Sequence, residues 1–155
     1  MEKQVTDHVV PILSAALTGT TVMSAFSYIV SKKEHKQFRE PELLNILVSR
    51  MPMDVKTSKE SIIGWAIHYI VGLMFCALYD RIWQRLTPTE RILTALPIGA
   101  LSGVIGAVIW KSTLKMHPFP PIIHYRKYYL HIILAHVIFG AFAGLGYNAA
   151  KGDSK

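Results

Sequence analysis

The chain has 155 residues, of which 51% are apolar and only 17% charged, and its mean hydropathy is positive at +0.30. Soluble domains carry about a quarter charged residues, and here the apolar residues gather into four blocks. This excludes an ordinary soluble enzyme, a disordered chain and a disulfide scaffold, the last also because Cys76 is the single cysteine. The formal net charge of +7 would point to nucleic acid in a soluble domain. The basic residues lie between apolar blocks, however, where lipid head groups are the expected contact and nucleic acid is not.

The first block, 9–30, has no charged residue, and only Lys3 is basic ahead of it. It is too long for the apolar core of a signal peptide and is expected to stay uncleaved. The others are 61–83, 92–110 and 128–150. About 20 helical residues cross a hydrocarbon core, so each block suffices, whereas the alternation of a membrane β-barrel is missing. The fold class expected is therefore all-α, a single integral membrane domain over 1–155 built as a four-helix bundle. Tyr28, Trp65, Trp83, Trp110, Tyr128, Tyr129 and Tyr147 fall towards block ends, as an aromatic belt would.

Four spans put both termini on one face and two longer loops on the other. Counting Lys and Arg, the long-loop face has eleven and the terminal face six, which favours cytoplasmic long loops. The first long loop holds Pro41-Glu42-Leu43-Leu44, with Pro and Glu suited to a first helical turn, and Pro52 to end it. A short interfacial helix over about 41–51 is expected, lying on the head groups or docking on the bundle. The second loop, around Pro118-Phe119-Pro120-Pro121, is too proline-rich to be helical.

An internal echo links the spans. His68 is followed by Gly72, Tyr79 and Asp80, and His136 by Gly140, Tyr147 and Asn148, at the same offsets. Ala16-Leu17-Thr18-Gly19 and Ala100-Leu101-Ser102-Gly103 repeat more faintly in the first and third spans. A duplicated two-helix hairpin accounts for both, with a two-fold axis along the membrane normal. Offsets of four and eleven keep His, Gly and Tyr within about 40° of one helix face. The two imidazoles should then share a depth, with Gly72 and Gly140 leaving room one turn away.

Three readings of His68 and His136 stay open. Each ring can be a packed hydrogen-bonding partner of Ser or Thr on a neighbouring helix, with Thr21 and Ser24 among the candidates. The pair can ligate a metal ion or the iron of a b-type haem, making His68, His136, Gly72 and Gly140 a cofactor site. Or they can mark a proton or ion path; Tyr79, Tyr147 and Asp80 are further polar residues within the spans. Asp80 beside Arg81 reads most simply as a boundary ion pair. Gly99-x-x-x-Gly103, Ser102-x-x-x-Gly106 and Gly140-x-x-x-Gly144 allow close helix approach, within the chain or in a homodimer.

No phosphate-binding loop or nucleophile elbow is present, so a non-enzymatic binding, accessory or assembly role is expected, with a haem- or metal-binding redox or transport component as the alternative. The stretch Thr18-Gly19-Thr20-Thr21-Val22-Met23-Ser24-Ala25-Phe26, with Phe38-Arg39-Glu40-Pro41-Glu42-Leu43-Leu44-Asn45, resembles small four-span bacterial membrane proteins of unassigned function. That resemblance implies a bacterial inner membrane and brings no site residue with it.

Overall fold

Each helix boundary follows from local chemistry. The Ser61 hydroxyl accepts a hydrogen bond from the Ile63 N–H at 3.3 Å and opens the second span. Thr87 and Glu90 form a reciprocal capping box ahead of the third. His35 ends the first helix with a positive φ of 52°, the left-handed cap that stops helical hydrogen bonding. The computed structural model describes residues 2–51, 58 and 61–151, with side chains from residue 7 onward. Lys3, Lys56, Lys59 and Lys155, which enter the orientation count, lie outside the described side chains.

Among the described residues five helices form: α1 (Glu2–Glu34), α2 (Glu40–Ser49), α3 (Ile62–Trp83), α4 (Pro88–Met116) and α5 (Tyr125–Lys151). Four are long and apolar enough to cross a membrane, from 22 residues in α3 to 33 in α1. At 1.5 Å per residue α4 is about 44 Å long, so its ends stand in the head-group region beyond the expected 92–110 core. The protein is thus a multi-pass, all-helical membrane protein.

The spans pack antiparallel in the ring order α3, α1, α5, α4. Gly19 of α1 lies on Phe139 and Ala143 of α5, and Gly146 lies on Ser14. At the crossing of α4 and α5, a Cβ on Gly140 would sit 2.8 Å from the Gly99 Cα, and one on Gly144 3.0 Å from the Ala95 Cβ. The small-residue motifs are consumed inside the chain, where backbone approach maximises dispersion contact that lipid cannot outcompete.

One interface is nearly absent. α5 packs extensively on both α1 and α4, while α3 packs on α1 and α2 and scarcely meets α4. A two-fold axis relating the hairpins would map α1–α5 onto α4–α3, so the bundle lacks the symmetry expected of a duplicated hairpin. The physical reason is α2: it lies against α3 rather than on the head groups. Asn45 donates to the Ser61 carbonyl and accepts from the Gly64 N–H, both at 2.7 Å, and Gly64 leaves room for the Pro41 carbonyl.

The aromatic belt needs correction. Tyr28 and Trp65 are exposed, but Trp83, Tyr128 and Tyr147 are fully buried. Trp83 packs edge-on to Tyr79 and Tyr147, each at 5.2 Å, and Trp110 edge-on to Tyr128 at 5.4 Å. These rings face the bundle axis, where area burial and edge-to-face geometry outweigh an interfacial seat.

Candidate functional site

His68 of α3 and His136 of α5 are both buried. The His68 Nε2 meets the Ser24 hydroxyl of α1 at 3.1 Å, and the His131 Nε2 meets the Ser27 hydroxyl at 2.9 Å. Three residues separate those serines and five separate His131 from His136. At 1.5 Å per residue, His68 and His136 therefore differ in depth by about 3 Å. A carbonyl only accepts, so the 2.9 Å bond between the His136 Nδ1 and the Ile132 carbonyl places the proton on Nδ1. The Nε2 lone pair is left facing Gly106, where a Cβ would stand 3.2 Å from it.

Both rings line two adjoining spaces. An inner chamber of about 40 Å³ is bounded by Thr20, Glu40, His68, Gly72 and His136, among others. Beside it, a cleft of about 120 Å³ runs between α3 and α4, walled by Val71, Phe75, Gly106, Ile109 and Trp110 and shared by the same two histidines. Val71 and Ile109 are 41% and 54% exposed on the outer face of the bundle. The missing α3–α4 interface is therefore a lateral opening that leads from the lipid-facing surface to the imidazoles.

Glu40, the first residue of α2, closes the chamber on the long-loop side. It is 2% exposed, and its Oε1 accepts from the Ser27 hydroxyl at 3.4 Å. The same hydroxyl meets His131, which is sandwiched between Phe26 at 5.3 Å and Phe38 at 4.7 Å. Glu40 Oε2 and Thr20 Oγ1 are buried without a hydrogen-bond partner. Among the described residues no Lys or Arg forms an ion pair with Glu40. Burial without a cation disfavours the charged form and pushes the Glu40 carboxyl up from 4.5 to about 7.

No family model, curated protein or solved structure matches the chain. The geometry alone must therefore decide between the readings.

A b-type haem does not fit the residues present. The space beside Gly140 is filled by the backbone of α4 at Ala95 and Gly99, and that beside Gly72 by the Thr20 hydroxyl. Chamber and cleft, at about 40 and about 120 Å³, fall well below the ~300 Å³ at which pockets for drug-sized ligands begin. Among the described residues no group of three or more His, Cys, Asp or Glu could hold a metal ion, so His68 and His136 lack the further protein ligand that a closed metal site needs.

The remaining polar residues are dispersed. Thr21 lies on the outer surface, paired with Tyr69 at 2.9 Å. Tyr79 bonds Ser102 at 2.6 Å, tying α3 to α4 below the cleft. Near the termini, Tyr147 donates to Asp80 at 2.5 Å, Gln84 donates to the same carboxylate, and the His8 Nδ1 stands 3.7 Å away. Among the described residues Asp80 and Arg81 form no ion pair, because consecutive helical positions diverge by 100° and Arg81 is exposed. Arg91 instead donates to the Trp83 carbonyl at 2.8 Å and to Asn148 at 3.2 Å.

Sequence reasoning missed Glu40 and Thr20 as chamber residues. Glu40 looks like any acid in a first helical turn, and only the docking of α2 on α3 buries it. The signal it did carry is its place directly before Pro41, which fixes it at the mouth of a helix that has an apolar face to dock.

Proposed function

We propose that this is a non-enzymatic, membrane-embedded binding protein that admits the apolar body of an amphiphile between α3 and α4 and holds its polar end near His68 and His136. The observation that carries this reading is the lateral opening itself: two buried imidazoles line a mostly apolar cleft whose rim residues, Val71 and Ile109, face lipid. Interior spaces with an apolar wall and a few convergent polar groups are the usual form of small-molecule sites. An apolar cavity of about 150 Å³ takes a benzene-sized guest, so the cleft suits one end of a chain whose remainder lies in the bilayer.

The basic excess on the long-loop face supports a cytoplasmic position for those loops, and the resemblance of the first third supports a bacterial inner membrane. A diazirine-bearing alkyl alcohol tests the site in nanodiscs. Saturable labelling of α3 near Val71 and Phe75 and of α4 near Gly106–Trp110, reduced in Val71→Trp, is expected. Non-saturable labelling spread over all outward faces overturns the reading.

A second reading is a proton or ion path, favoured by buried ionisable groups near both ends of the bundle, Glu40 at 2% and Asp80 at 3% exposure, with the histidines at intermediate depth. It requires His68→Gln to abolish proton flux in proteoliposomes without loss of folded protein. Unchanged flux, or none in the parent protein, removes it.

A further inference from the structure

The chamber is lined by residues that carry three acceptor-capable atoms. Among the described residues Glu40 Oε2 and Thr20 Oγ1 have no hydrogen-bond partner, and the His136 Nε2 carries a lone pair because Nδ1 serves the Ile132 carbonyl. The residues bearing these three atoms line one space of about 40 Å³. A water needs about 10–15 Å³ measured this way, so a single ammonium head fits and a bulky head group does not. A buried carboxyl without a cation is the costliest group in such a space, and among the described residues no basic side chain pairs with it.

We propose that the chamber receives the protonated primary amine of a single-chain amphiphile, whose alkyl body lies in the α3–α4 cleft. A primary ammonium has three N–H donors and no acceptor, matching three acceptor-capable atoms, one of them on a carboxylate. A carboxylate or phosphate head would bring a second anion beside Glu40. A quaternary ammonium would bring charge without donors and with three extra methyl groups. Both the charge and the hydrogen-bonding count therefore select the same head. The inference rests on the binding reading and adds the chemistry of the ligand to it.

The test is competition against the diazirine-bearing alcohol, using the intact protein in nanodiscs at pH 7.5. Competitors are dodecylamine, dodecanol, dodecanoate and dodecyltrimethylammonium. Dodecylamine is expected to compete at least tenfold more strongly than each of the others. Glu40→Gln and, independently, Thr20→Val are expected to narrow that advantage to about threefold or less. The head-group series on the parent protein needs no variant to fold and decides by itself. Equal competition by all four alkyl compounds overturns the amine while leaving the cleft standing. Absence of saturable labelling by the parent alcohol overturns the cleft. Displacement by KCl at millimolar concentration, with no preference among the alkyl compounds, assigns the chamber to a bare cation and overturns the amine.

Discussion

Glu40→Gln gives the sharpest thermodynamic test of the chamber. In the folded chain the carboxyl is pushed up to about 7 by burial, against 4.5 when free. The folded state therefore binds the proton more tightly than the unfolded state, and stability must fall as pH rises between those values. Below pH 4.5 both states are protonated and the carboxyl imposes no penalty. Above pH 7 both are ionised and the full penalty is present. The shift corresponds to about 3 kcal/mol, and Gln, which keeps shape and never ionises, removes it. Unfolding by SDS titration in mixed micelles at pH 4.5 to 8 should show the variant gaining on the parent protein by about 3 kcal/mol across this window. The groups near the carboxyl, Ser27, His68, His131 and His136, are present in both proteins, so their own titration cancels in the difference. Parallel stability curves would refute the burial of an unpaired carboxyl. Dodecylamine should flatten the parent curve, because an ammonium offsets the same penalty.

Four further outcomes follow from the packing. Gly140→Ala should destabilise the chain by about 1 kcal/mol in the same titration, since an overpacking cost of about 1–3 kcal/mol exceeds the ~1 kcal/mol gain in helix propensity. Gly72→Ala meets a rotatable Thr20 hydroxyl instead of backbone and should cost less. Asn45→Ala leaves the Gly64 N–H unpaired, so hydrogen exchange at the α3 N-terminus should accelerate, with a loss of about 1–3 kcal/mol. For Tyr147 and Asp80, bonded at 2.5 Å, a double-mutant cycle of Tyr147→Phe with Asp80→Asn should show coupling of about 0.5–2 kcal/mol; additive losses would dissolve the pair.

What could be read from residues alone was the part governed by hydropathy and helical period. Four spans, α2 and the shared depth of His68 and His136 all follow from run length and from offsets along a helix. What could not be read were relations between helices. The repeat of His, Gly, Tyr and Asp or Asn implied equivalent surroundings, yet Gly72 faces a hydroxyl and Gly140 faces a backbone. Tyr79 and Tyr147 likewise bond a serine and a carboxylate respectively. The burial of Glu40 depends on Asn45 reaching the start of α3, a contact with no periodic trace. Trp83, Tyr128 and Tyr147 misled because closeness to a block end says nothing about which side of the helix a ring occupies.

The short turn after α3 joins α3 and α4 at their far ends, and the Tyr79–Ser102 bond ties them again at the middle of α4. A guest entering above that bond would widen the cleft by splaying the two rods about it. If the cleft takes a guest as proposed, its width near the imidazoles can vary while the rest of the guest's chain runs out sideways into the bilayer. Selection among guests would therefore be lenient in girth.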